Sequence, residues 1–212
     1  MTQAPAHDAL IAAWLAARSI GRGLPLPLAD RGGLRVDTNL PAERRRWVFA
    51  QRCDGLRALG REVSQPQHFL KLCGAADDLL AELTPAWVLQ PQGYFMIAQA
   101  PKAASRPLPN GYRLQIDRDG PTTAVRIVAE DDALAASGYA VEAMGVFIYD
   151  RIVADPGHQR KGLGNIVMHT LKGHRVSTAA PELLVATEEG RALYESLGWS
   201  VLSPFSTAAI PA

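Results

Sequence analysis

The 212-residue chain predicts an α/β (α+β) fold in which a mixed, mostly antiparallel central sheet is flanked by helices. Three observations predict it. Strand-like runs at 112–116, 124–128 and 134–141 follow one another with charged or glycine turns between them, the pattern of an antiparallel meander. A further run at 146–154, rich in β-branched and aromatic residues, is stopped by Asp155, Pro156 and Gly157, and Leu163, Ile166, Val167 and Leu171 then fall on one face of a helix starting near Lys161. Finally, the short apolar run 183–186 precedes a helical segment that Gly198 closes, with Thr187 as its N-cap.

Upstream, Leu10, Ile11, Trp14 and Leu15 repeat at helical spacing, so 6–18 is an amphipathic helix ended by Gly21 and Gly23. Prolines make 24–28 an extended connector. Strand-like runs follow at 33–38 and 46–50, joined by a turn over 39–45. Residues 54–63 are helical with Asp54 as N-cap, 69–72 a short strand, 75–83 a second helix, and 87–89 and 94–98 paired strands. The order over 69–87 matches that over 182–199, which leaves an internal repeat open. Proline-rich 101–111 is the linker, dividing the chain into residues 1–105, an α/β half, and 106–212. The tail 201–205 is one strand followed by a loose end.

Between the 146–154 strand and its helix lies Gln159, Arg160, Lys161, Gly162, Leu163 and Gly164, two cations and two glycines at the positive end of a helix dipole. That is an anion site. Glycines without Cβ let a phosphate approach the unpaired N–H groups of the helix start. A triphosphate loop does not fit, because Leu163 and Gly164 stand where Lys and Ser/Thr are needed; a dinucleotide fingerprint would need a third glycine at Val167. The corresponding place in the first half, 50–55, has one glycine and an acidic residue and should not hold a pyrophosphate.

The run Ile152, Val153, Ala154, Asp155, Pro156, then Gln159, Gly162 and Gly164, resembles the GNAT family of acyl-CoA-dependent N-acyltransferases. A second signature, Leu193, Tyr194, Leu197, Gly198 and Trp199 after Thr187, is similar to that family's last helix. The resemblance covers roughly 111–206 and implies the GNAT fold, with 106–212 as catalytic domain and 1–105 as a possible degenerate copy without a coenzyme loop. It implies acetyl-CoA as co-substrate, and acetyl transfer by direct attack of an amine on a small molecule or peptide. Backbone groups of Ile152, Val153 and Ala154 would hold the pantetheine arm. Gln159, Arg160, Lys161, Gly162, Leu163, Gly164 and Asn165 would hold the pyrophosphate, with Thr187 and Tyr194 beside the coenzyme. Two features depart from the pattern: His158 replaces a commoner aromatic, and the two helices that normally shape the acceptor pocket between the first strands are replaced by Asp119 to Thr122.

For catalysis, Tyr194 is the candidate acid for the departing thiolate, with the packed aromatic as its alternative. Asp150, acidic within an apolar strand, is the candidate base, since burial would raise its pKa; a structural ion pair is the alternative, and Glu142 and His158 are reserves. If the acceptor pocket is missing, the alternative function is a non-catalytic acyl-CoA-binding regulatory module.

Charges of 22 Lys and Arg against 21 Asp and Glu exclude the basic field that nucleic acid or an anionic membrane would require. Cys53 and Cys73, the only cysteines, form no metal-binding spacing, so no metal is expected. No positive charge precedes the apolar run 10–17 as a signal peptide would require, and Asp8 does, so a cytoplasmic monomer or homodimer is the expectation.

Overall fold

A computed structural model describes residues 4–99 and 106–211. In chain order the elements are α1 (Ala4–Ile20), β1 (Leu28–Asp30), β2 (Gly33–Leu40), β3 (Glu43–Phe49), α2 (Asp54–Glu62), β4 (His68–Leu72), α3 (Ala76–Leu80), β5 (Val88–Leu89) and β6 (Gly93–Ala98). There follow β7 (Tyr112–Asp119), β8 (Thr122–Ala129), β9 (Leu134–Ala143), β10 (Val146–Ala154), α4 (Leu163–Gly173), β11 (Glu182–Thr187), α5 (Glu188–Ser196) and β12 (Trp199–Ala209).

The strands form one sheet in the order β1-β2-β3-β4-β12-β6-β11-β10-β9-β8-β7, with β5 on β12. Its two ends repeat a pattern. In each, an antiparallel hairpin (β2–β3, β9–β10) is followed through a helix by a parallel partner (β4, β11). The strand beside that partner comes from the other half: β6 lies between β11 and the start of β12, while Ser206 to Ala209 of β12 lies between β4 and β5.

This exchange corrects the expected pairing of 87–89 with 94–98 and the loose end after 205. Phe95 and Met96, adjacent on β6 and thus on opposite faces, are both fully buried, so β6 needs cover on both faces and a ladder on both edges. Only the interior of the sheet offers that. Smaller corrections follow from hydrogen bonding: Cys53, not Asp54, precedes the first turn of α2, α3 ends at Leu80, α4 begins at Leu163, and β2, β3 and β7 run further into their turns than expected. Residues 101–105 of the expected linker lie outside the described residues.

Helices cover both faces. On one, α4 and α5 bury Leu163, Ile166, Val167, Leu171 and Tyr194 against Val125, Ile127 and Phe147. On the other, α1 buries Ile11, Trp14 and Leu15 against residues of both halves, including Val48, Ile148, Leu183 and Phe205. The Trp14 ring meets Phe95 and Phe205 edge-on at 5.6 and 5.5 Å, so it seals the two exchanged strands. A third cluster sets α2 and α3 against Trp47, Phe49 and Leu70.

Candidate functional site

The central strand is bent by a bulge. Asp150 pairs with Tyr139 and Val153 with Ser137, so Arg151 and Ile152 together oppose Gly138. Arg151 takes a left-handed φ of 53°, uncommon for a residue with a side chain. Gly138 is required here, because a Cβ on it would lie 2.4 Å from Ile152 Cδ1 and 2.6 Å from Val167 Cγ1.

Beside the bulge the sheet opens. β10 and β11 pair only at Phe147 with Glu182 and Ile148 with Leu183; beyond these the edge of β11 that faces β10 is unpaired, while its other edge stays on β6 through Thr187. The β11-facing backbone groups of Ile152, Val153 and Ala154 are therefore outside any ladder. In the first half the equivalent strands, β3 and β4, stay paired from Arg45 with His68 to Phe49 with Leu72. Only one end of the sheet is split.

At that end sits the glycine loop. Asp155 accepts from the Gly157 N–H at 2.9 Å and turns the chain through a short 3-10 segment, Pro156–His158. Gln159, Arg160 and Lys161 are exposed; Arg160 and Gly162 take φ values of 61° and 77°, and Gly162 caps α4. The first backbone bond of the helix runs from Ile166 N–H to Gly162 carbonyl, which leaves the N–H groups of Leu163, Gly164 and Asn165 ahead of it. A Cβ on Gly164 would meet only Leu193 Cδ2, at 3.9 Å, so the approach to these donors is open. In the first half the matching approach is closed: a Cβ on Gly55 would lie 1.7 Å from the Arg31 carbonyl oxygen.

Around the loop, Lys161 Nζ donates to the Tyr112 hydroxyl at 2.7 Å, and that hydroxyl is 2.9 Å from His158 Nδ1. The His158 ring meets Tyr112 edge-on at 5.7 Å. Arg106 lies over Gly162, its Cδ 3.4 Å from where a Cβ would be. Neither Tyr112 nor Arg106 carried a motif in the sequence.

Thr187 caps α5 as expected, accepting from Gly190 N–H at 3.2 Å. Tyr194 is 7% exposed, and burial pushes its phenol up to about 12. It therefore stays protonated over the physiological range and is available as a proton donor rather than as a base. Its ring also packs near Trp199, with centroids 6.0 Å apart.

Asp150 departs from expectation. Burial does push its carboxyl up, but the hydrogen-bonded Arg22 and the charges of Arg18, Arg22 and Arg151 outweigh that and hold it below the ordinary carboxylate value. Arg22 binds it through Nε and Nη2 at 2.6 and 2.8 Å, and Arg18 and Arg151 lie 3.6 and 3.4 Å away. The expected rise in pKa, on which its choice as base rested, does not occur. Glu142 is likewise committed, accepting from the Val176 and Ser177 N–H groups at 2.7 and 2.6 Å.

A cavity of about 230 Å³ opens where β10 and β11 part, reaching Tyr149 and Asp150 on one strand and Val185, Ala186 and Thr187 on the other. Most of its remaining wall comes from the first half, including Trp14, Leu15 and Arg18 of α1, Arg46 and Val48 of β3, and Lys71 of β4, with Phe205 and Thr207 of β12 completing it. Burial lowers the Lys71 ammonium to about 8; Glu43 opposes this, and Arg18 and Arg22 add to it. Sequence reasoning missed this wall, because no spacing links residues 18, 46 and 71 to residue 150.

No protein-family model matches the sequence, and no curated protein sequence matches it. Solved structures do. A GCN5-related N-acetyltransferase from Kribbella flavida matches with a TM-score of 0.64 at 13% identity, over 97% of this chain and 96% of that one. An acetyltransferase of the GNAT family from Novosphingobium aromaticivorans matches at 0.58 and 14% identity, over 94% and 96%. The chain thus has the GNAT acetyltransferase fold, spread over nearly its whole length. A tandem GNAT protein from the clavulanic acid biosynthesis pathway also matches, with a TM-score of 0.54 at 12% identity over 99% of this chain and 97% of that one. Among the described residues, no helix is long and apolar enough to cross a membrane.

Proposed function

We propose that the chain transfers an acetyl group from acetyl-CoA to the amine of an acceptor held in the cavity between its halves. The observation that carries this reading is the coincidence, at one end of the sheet only, of the split between β10 and β11 with the open glycine-capped start of α4. The coenzyme pyrophosphate fits the N–H groups of Leu163, Gly164 and Asn165, with Arg160 and Lys161 nearby. Unpaired backbone groups of Ile152, Val153 and Ala154 would bind the pantetheine arm, which runs through the split. One such N–H facing the thioester oxygen would be worth ~3 kcal/mol as negative charge develops there.

In the reaction the neutral amine attacks the thioester carbon, the C–S bond breaks, the nitrogen loses its proton to water, and the thiolate gains one from a phenol that solvent then reprotonates. Tyr194 is the proposed donor to sulfur, and its burial keeps that proton in place. Asp150 is left out of the chemistry and acts as an ion-paired strut. The binding-module alternative rests on a missing acceptor pocket, and the cavity supports the transferase reading over it.

Calorimetric titration with acetyl-CoA, together with free-thiol release in the presence of a panel of amines, tests the proposal. One site per chain and amine-dependent thiol release are expected. Absence of binding, or two equal sites, overturns it.

A further inference from the structure

The charge of the cavity is strongly one-sided. Its lining carries Arg18, Arg46 and Lys71 against Asp150 alone. That carboxylate already engages Arg18, Arg22 and Arg151. Arg46, only 2% exposed, is matched by Glu43 at 2.5 Å. Lys71 has no such match. Among the described residues its ammonium makes no ion pair; it reaches only the Thr207 hydroxyl, at 3.5 Å, and the face of Phe69, at 5.3 Å. A part-buried ammonium without a carboxylate is costly, and an anion arriving from outside would relieve that cost.

Trp14, Leu15, Val48, Val185 and Phe205 give the wall an apolar side, beside polar Gln92, Thr187 and Thr207. The cavity volume of about 230 Å³ lies below the ~300–1,000 Å³ usual for drug-sized ligands. It suits a molecule the size of one amino acid. We infer that the acceptor is a small primary amine carrying a carboxylate and an apolar side chain, its carboxylate held by Lys71 and Arg18 so that its amine faces the opening between β10 and β11. This rests on the transferase reading and names its substrate class.

The two ideas are separable by experiment. Leucine and phenylalanine, each beside its carboxamide, are offered with acetyl-CoA to the wild type, Lys71→Met and Lys71→Arg, and thiol release is followed. The carboxamides have the less basic amines and would win on intrinsic reactivity alone. The expected result is that the free acids win, by about 10-fold or more in kcat/KM, as befits one charge-assisted hydrogen bond. Lys71→Met should raise KM for the acids by a similar factor while leaving the carboxamides unchanged. Lys71→Arg, which keeps the cation but cannot act as a base, should restore the preference. Coenzyme affinity should be the same in all three proteins.

Equal or better use of the carboxamides overturns the inference while leaving acetyl transfer intact, as does an equal loss on both series in Lys71→Met. If neither series releases thiol, N-acetyl-leucine and its carboxamide are titrated by calorimetry. Tighter binding of the acid, lost in Lys71→Met, upholds the inference, and equal or absent binding overturns it. Failure of acetyl-CoA to bind would instead strike the transferase reading, which the titration without coenzyme does not depend on.

Discussion

Arg22 grips Asp150 through two hydrogen bonds of 2.6 and 2.8 Å, joining the end of α1 to the central strand across 128 residues of sequence. Two further arginines complete the cluster, Arg18 on α1 and Arg151 at the bulge. The site's most conspicuous acid is thus the peg on which the first helix hangs.

Replacing Asp150 by Asn should leave several part-buried cations without their partner and cost ~3 kcal/mol of stability, the scale for breaking one side of a buried pair. The sign of the pH effect follows from the lowered pKa. Asp150's contribution is full above the unfolded carboxylate pKa and fades as pH falls through the lower folded value. Thermal melts should show a large gap between wild type and Asp150→Asn at pH 7 that closes in acid. A variant of wild-type stability whose turnover alone collapses would restore Asp150 to the role of base.

Gly164→Glu should abolish acetyl-CoA binding without unfolding the chain. A Cβ at this position meets only Leu193 Cδ2 at 3.9 Å, so the backbone tolerates it, while a carboxylate among the phosphate donors does not favour an anion. Unchanged affinity by calorimetry, with an unchanged melt, would mean that the pyrophosphate lies elsewhere.

Tyr194→Phe keeps the ring against Trp199 and removes the proton. As general acid, Tyr194 should account for a ~10²-fold or greater fall in turnover with coenzyme affinity nearly constant. Since burial holds the phenol near 12, the wild-type rate should show no loss attributable to Tyr194 ionisation as pH rises from 7 to 10. Wild-type turnover in the variant, measured where chemistry limits the rate, would make Tyr194 a packing residue.

The strand exchange sets a limit on dissection. A fragment spanning residues 106–212 lacks β6, and so exposes edges of β11 and β12 and uncovers Ile148, Leu183 and Phe205. It should be insoluble or self-associated, and adding back residues 1–105 by co-expression should recover a stable complex. A monomeric, fully active fragment would show that the first half is dispensable.

The sequence by itself determined the features whose physics is local. The bounds of β10, the helical face of Leu163, Ile166, Val167 and Leu171, the cap at Thr187 and the glycine loop all depend on residues within one or two turns of each other, so spacing reveals them. The repeat was also visible, as an order of elements. What only the tertiary structure decided is everything that depends on partners far apart in the chain. Local pattern marks 94–98 as a strand but not which edges it pairs with, because a ladder is closed by whichever strand the rest of the fold brings alongside. An acid within an apolar strand reads as a raised pKa until three arginines are seen around it. The cavity wall of Arg18, Arg46 and Lys71 has no sequence signature, since it exists only where α1, β3 and β4 are carried against the split end of the second half's sheet.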